Sequence, residues 1–255
     1  MRHLHAWRWG PPDGRPVVCL HGVSGSGRHF GGLAERLPGC RVVSLDLLGH
    51  GSSPWEPPWG LDAQTAAVEA SIDGGPATWI GHSYGGRVAL EVAARRPDLV
   101  ERIVLLDPAV WIPPHVALNA ARSSLADRAY ASFEQGIDRR FEESQLHRAP
   151  RNRVVADLRD HLVLSPDGRW RYRYSQSAVV VAYSDMCSSP PAFDRLVVPT
   201  LVVLGEQSFL PYLLLESHRS ALGASLELVT VPGGHTVLWD ALEETAAAVA
   251  QFVSG

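Results

Sequence analysis

One stretch of the chain carries an alcohol in a setting that can activate it. Gly81-His82-Ser83-Tyr84-Gly85 matches G-x-S-x-G, between an apolar run at 77–80 and an amphipathic run at 87–96. A strand that turns at once into a helix brings backbone segments very close, and glycines on either side of the serine leave room because they lack a Cβ. Such a turn points the Ser83 hydroxyl out of the sheet, at the positive end of the following helix. A serine hydroxyl is a poor nucleophile until a base takes its proton. Of the 11 histidines, His235 has the apt position: it sits in Val231-Pro232-Gly233-Gly234-His235-Thr236, after the last strand-like run and before the last helical one. Glycines also crowd the loop His21-Gly22-Val23-Ser24-Gly25-Ser26-Gly27, which follows the apolar run 17–20. That loop can aim a backbone donor at a developing oxyanion, and the predicted pair is the N–H of Val23 with the N–H of Tyr84. The alternative, a phosphate-cradling loop, lacks G-x-x-x-x-G-K-[ST], and the chain has no lysine.

The elements that must position these groups alternate. Strands are predicted at 3–9, 17–20, 41–45, 77–80, 103–106, 201–204 and 226–231 from short apolar runs closed by turn residues. Helices are predicted at 27–37, 62–72 with Asp62 as a candidate N-cap, 87–96, 211–222 and 241–253. Strands alternating with helices imply parallel βαβ units, hence an α/β fold with a mostly parallel sheet covered on both faces. The rhythm breaks between Pro113-Pro114 and Pro190-Pro191. That segment is mostly helix-like, with one run at 178–183 that reads as strand or helix. The expected organisation is a core of residues 1–110 and 191–255 carrying an insertion, 111–190, over the C-terminal edge of the sheet, where open α/β sheets bind ligands.

Composition narrows the class. The chain has 255 residues, 45% hydrophobic and 20% charged, with net charge −4. This is a globular composition with enough apolar residues for a sizeable core; it excludes a disordered chain and gives no reason to expect nucleic acid as a partner. All 23 basic residues are arginine. A codon bias explains that over a whole chain better than recognition of anions by arginine forks does. The insertion holds eleven arginines against nine acidic residues, too mild an excess to name an anionic substrate. Cys19, Cys40 and Cys187 form neither a disulfide framework nor a zinc signature, and Cys19 lies in an apolar run as a small core residue. No signal peptide or membrane span is read, so a cytoplasmic protein is the expectation. No metal constellation is read either.

Taken together, His21-Gly22, Asp46 with Gly49-His50-Gly51-Ser52-Ser53, Gly81 to Gly85 and Gly233-Gly234-His235 resemble the α/β-hydrolase superfamily, and within it the capped serine hydrolases. The resemblance covers nearly all of the chain outside the insertion, which corresponds to the cap over the active site. It implies that Asp46, His50 and Ser52 are scaffold. It also exposes one departure. Most capped members carry their triad acid in a Gly-Glu-x-Asp stretch, and here that stretch is Gly205-Glu206-Gln207-Ser208. A serine cannot stabilise an imidazolium as a carboxylate does. Two replacements are open: Asp107, at the end of the strand before the insertion, and Glu206. Asp107 is preferred, because a residue ending the strand beside the nucleophile strand points to the edge where His235 arrives; its alternative is an Asp-Pro turn that starts the cap.

The expected function is a serine carboxylester hydrolase with Ser83, His235 and Asp107 as triad, Val23 and Tyr84 as oxyanion donors, and no cofactor or metal. The expected substrate is a small ester with a short to medium apolar acyl group. A thioesterase, lactonase, amidase or carbon–carbon bond hydrolase would use the same residues, and a ligand receptor on a hydrolase scaffold is the rival outside enzymes. Dehalogenase and epoxide hydrolase relatives have Asp where this chain has Ser83. His82 is read as packing beside the nucleophile or as a substrate contact. Trp111, Tyr130, Phe133, Tyr183 and Trp239 are candidates for an acyl pocket, each with core packing as the alternative.

Overall fold

The computed structural model describes residues 2–190, 193 and 196–255. Its centre is a seven-stranded sheet: β1 (Ala6–Trp9), β2 (Arg15–Leu20), β3 (Cys40–Leu45), β4 (Ala77–His82), β5 (Val100–Leu106), β8 (Thr200–Gly205) and β9 (Leu226–Val231). The spatial order is β1-β3-β2-β4-β5-β8-β9, with β1 antiparallel to β3 and every other pair parallel. The apolar runs of the inner strands are buried on both faces, while the edge strands β1 and β9 are partly exposed. Successive side chains point to opposite sides, so Val18, Leu20, Trp79, Leu105 and Val202 enter one core while Val17, Cys19, Ile80, Leu106 and Val203 enter the other. Helices α2 (Leu61–Ser71) and α3 (Tyr84–Arg95) close the first face, and α1 (Gly31–Ala34) with α10 (Leu242–Ser254) closes the second.

The chain winds outward from β2 in one direction to β3 and in the other to β4. That reversal opens a crevice at the C-terminal ends of β2 and β4, the usual ligand position in such sheets. The loop after β2 and the turn after β4 both lie there.

Several boundaries differ from those expected. Helix α2 is capped by Gly60 rather than Asp62, whose carboxylate instead takes Arg95 at 2.5 Å. The run 27–37 gives a 3-10 turn, Gly27–Phe30, and one helical turn in α1. Helix α8 (Leu215–Leu222) starts later than 211, and α10 follows a separate turn, α9 (Val237–Asp240).

Between β5 and β8 the chain builds α4 (Pro114–Ser124), α5 (Phe133–Glu143), α6 (Arg151–Leu158) and α7 (Gln176–Met186), so the ambiguous run 178–183 is helical. It also builds a hairpin absent from the sequence reading, β6 (Leu162–Leu164) with β7 (Trp170–Tyr172). These pack a third core that includes Tyr130, Ile137, Val154, Leu158 and Leu162. Pro114 opens α4, where its missing N–H loses nothing. The far boundary expected at Pro190-Pro191 falls partly outside the described residues. Entry and exit of the segment are tied together. Ile112 N–H donates to Met186 O at 2.9 Å, and the buried Arg87 donates to Val110 O at 2.8 Å and Ser189 O at 2.6 Å.

Candidate active site

The site begins with a tight turn. β4 ends at His82, α3 starts at Tyr84, and Ser83 between them has φ 53° and ψ −120°. A side chain rarely adopts a positive φ, and the conformation persists only where the surroundings dictate it. They do so here through backbone bonds: Ser83 N–H donates to Leu106 O at 3.1 Å, and Ser83 O accepts from Gly86 at 3.0 Å and Ala109 at 3.1 Å. The flanking glycines are a steric requirement. A Cβ on Gly81 would stand 2.5 Å from Gly85 O, and one on Gly85 would overlap the Leu20 carbonyl. Ser83 is buried but lines a cavity of about 270 Å³.

His235 lines the same cavity, carried there by the loop between β9 and α9. Its Nδ1–H donates to Asp107 Oδ2 at 2.6 Å. Asp107 directly follows β5, is fully buried and has φ 43°. Of the two acids open from the sequence, Asp107 is therefore the one that meets His235. Glu206 continues the β8 edge, with its N–H donating to Val231 O at 2.9 Å. Ser83 and His235 share the cavity wall without a hydrogen bond between their side chains. Such bonds are often long until substrate binds.

Tyr84 N–H is the first of α3 and has no intrahelical acceptor. Val23 lies across the crevice in the loop after β2, beside Gly22, whose Cβ would stand 2.9 Å from that of Ser83. His21 shapes this loop from below: Nδ1–H donates to Gly22 O at 2.7 Å while Nε2 accepts from Leu47 N–H at 2.9 Å. Burial lowers the His21 pKa to about 4, so it holds both bonds as a neutral ring. Asp46 is a buried scaffold residue; its carboxylate accepts from Gly27 N–H at 2.7 Å, Ser52 N–H at 3.0 Å and Trp7 Nε1–H at 3.1 Å. His50 Nε2 accepts from Ser24 N–H at 3.3 Å.

His82 donates from Nε2 to His235 O at 3.0 Å and also lines the cavity. Burial first, then His235, lowers its pKa to about 4. Of the five aromatic candidates, Tyr183 and Trp239 line the cavity; Trp111, Tyr130 and Phe133 do not. Tyr130 is spent in the third core, and Phe133 packs edge-on against Trp170 at 5.3 Å. Ile112, Val116, Ala120, Val179 and Met186 supply the apolar wall from the segment after β5.

Two supporting residues escaped the sequence reading. Ser208 Oγ–H donates to Asp107 Oδ2 at 2.5 Å, and Gly205 N–H donates to Oδ1 at 2.9 Å. The serine at the position where the resemblance implies an aspartate thus bonds the carboxylate that follows the neighbouring strand; the departure from Gly-Glu-x-Asp marked the position but not this contact. Asp240 is buried and gathers four backbone N–H groups: Gly234 at 2.7 Å, Arg148 at 2.9 Å, Ala149 at 3.0 Å and His147 at 3.1 Å. It fixes the loop that carries His235, and no local motif announced it. Among the described residues no cluster of three or more His, Cys, Asp or Glu can hold a metal ion. No helix among them is long and apolar enough to cross a membrane.

Residues 17–249 match the model of a family described as the alpha/beta hydrolase family. A lipase, LipV of Mycobacterium tuberculosis, is 36% identical over 266 residues, covering 96% of each chain. A pimeloyl-[acyl-carrier protein] methyl ester esterase of Neisseria meningitidis is 28% identical over 254 residues, again covering 96% of each. Among solved structures, that of E-2-(acetamidomethylene)succinate hydrolase superposes with a TM-score of 0.85 at 24% identity, covering 99% of this chain and 95% of that one, a likeness of fold.

Proposed function

The chain belongs to the alpha/beta hydrolase family, and on that premise we propose that it is a serine carboxylester hydrolase working through an acyl-enzyme. Ser83 attacks the acyl carbonyl while His235 takes its proton; Asp107 orients the imidazole and stabilises its charged form. The N–H groups of Val23 and Tyr84 receive the oxyanion. His235 then protonates the leaving alcohol, and later activates the water that releases the acid. The observation that carries the reading is the contact of His235 Nδ1 with the buried Asp107, on a ring that shares a cavity with Ser83. Relatives named as a lipase and an esterase support ester cleavage.

We read residues 111–190 as a cap whose apolar side chains enclose a short to medium acyl group. A cytoplasmic location remains our expectation, in keeping with three free cysteines. The test is a fluorophosphonate label together with p-nitrophenyl esters of increasing chain length. Wild type is expected to label promptly and to turn over the shorter esters; Ser83→Ala is expected to lose labelling and almost all turnover. A wild-type chain that neither labels nor turns over any ester of the panel would instead favour a binding protein built on this scaffold.

A further inference from the structure

Arg140 stands out among the charged groups of the cavity. It comes from α5, is only 8% exposed, and lines the same cavity as Ser83. Its guanidinium lies 4.3 Å from the centre of the Tyr172 ring, and its two terminal nitrogens are 3.5 Å from Ser24 Oγ and Ser24 O, at the limit of a hydrogen bond. Its Nε has no partner. Among the described residues no carboxylate lies within 4.0 Å of it. The acid one turn on, Glu143, is already held by Arg128 at 2.6 Å and by Arg139 at 4.0 Å. Arg87, the other buried arginine among the described residues, shows the usual solution, with Glu91 at 3.1 Å and two carbonyls.

A buried cation without a counter-charge is costly, and an aromatic face offsets only part of that cost. A second unsatisfied donor or acceptor, His29 Nε2, lines the same cavity. Burial, with His161 and Arg140 alongside, keeps that ring neutral, so it adds a polar atom without a charge. Ser24 is the residue after Val23, and neighbouring Cα atoms are about 3.8 Å apart. The arginine fork thus ends close to the point where the carbonyl oxygen of an ester is proposed to rest.

We infer that Arg140 anchors a carboxylate on the substrate, so that the ester cleaved here carries a negative charge a few bonds from its scissile carbonyl. The inference rests on the hydrolase reading above and refines its substrate: apolar along the chain, anionic at one end. A guanidinium fork matches carboxylate and phosphate alike. Arg128 and Glu143 also line the cavity but pair with each other at 2.6 Å, so the one cation left over, Arg140, balances the single charge of a carboxylate better than the roughly −1.5 to −2 of a phosphate monoester.

The experiment compares monomethyl adipate with methyl hexanoate, equal in chain length and differing in charge, by titrating the acid released. Wild type is expected to favour the monoester at least about tenfold in kcat/KM. Arg140→Gln is expected to abolish that ratio and Arg140→Lys to keep part of it. The ratio is taken within each variant, so a general loss of folded protein cancels. A wild-type ratio near one overturns the inference, and so does a ratio unchanged in Arg140→Gln. A phosphate-bearing methyl ester preferred over monomethyl adipate overturns the carboxylate assignment. Adipate titrated into Ser83→Ala by calorimetry reads the anchor without turnover: saturable heat that disappears on adding Arg140→Gln supports it, and absence of heat overturns it. Undiminished hydrolysis by Ser83→Ala would sink the serine mechanism while leaving this titration to decide on Arg140.

Discussion

Asp107 receives three donors from two distant parts of the chain: His235 Nδ1–H from the loop after β9, and Ser208 Oγ–H with Gly205 N–H from the turn after β8. A carboxylate so held has one orientation, and through it the imidazole has one orientation. The sequence carried Ser83 and His235 because a glycine-framed serine and a late glycine-framed histidine are local patterns. It narrowed the proposed triad acid to two positions, because the missing aspartate at 208 was visible and strand ends are predictable. It could not show that Ser208 serves the acid, since β5 and β8 become neighbours only through the sheet order. Asp107→Asn should lower kcat by about 10⁴, as loss of the acid does in serine triads, while Glu206→Gln stays near wild type. Ser208→Ala should lower kcat about ten- to a hundredfold, the weight of a hydrogen bond to a charged group, with KM little changed and Ser208→Thr restoring part of the loss. Steady-state kinetics on one p-nitrophenyl ester decide all three; a crippled Glu206→Gln beside an active Asp107→Asn would reverse the assignment.

At the scale of elements, the strands were legible and the connections were not. Buried parallel strands read as apolar runs whatever surrounds them. The hairpin of β6 and β7 is only three residues a side, yet Ser165-Pro166-Asp167-Gly168 between them is a turn signature, closed by Ser165 N–H to Arg169 O at 2.7 Å with Gly168 at φ 78°. The loop carrying His235 depended on information outside itself. Asp240 ties Gly234 on that loop to residues 147–149 on the segment after β5. Both carboxylate oxygens accept, so Asp240→Asn would turn one acceptor into a donor facing N–H groups. The expected cost is about 2–3 kcal/mol for groups left unsatisfied. It would appear as a lower urea midpoint at unchanged slope. A fall in kcat should accompany it, because the His235 loop loses its anchor. An unchanged midpoint would mean that water replaces the lost bonds and that the loop is held by other contacts.

For the whole molecule, the layered burial that makes the site also makes the fold sensitive to acid. Chiefly through burial, the pKa values of His21, His82 and His218 are lowered to about 4 and that of His50 to about 3; His29 and His161 are held well below the ordinary value as well. The unfolded chain takes these protons near pH 6.5, whereas the folded chain takes them only near 4 or below. Between those limits the unfolded state binds more protons, so stability falls as pH drops through that window and levels off once the folded state is protonated too. Asp157 opposes the trend: burial raises its pKa to about 6, so in the same range the folded state holds a proton that the unfolded state has shed. Burial raises the Asp185 carboxyl in the same direction, but four histidines with resolved values outweigh two carboxylic acids. Each can contribute up to about 1.4 kcal/mol per pH unit. Urea midpoints measured at pH 7, 6, 5 and 4.5 should therefore decline steeply below pH 6.5. His218 offers a separate handle, because it is the buried residue of α8 and does not line the cavity, with Nδ1 bonded to Tyr212 Oη at 2.8 Å. His218→Asn should flatten the decline by about one proton while lowering the midpoint at pH 7. Midpoints level from pH 7 to pH 5 would mean that the buried rings reach water and are protonated in the folded chain.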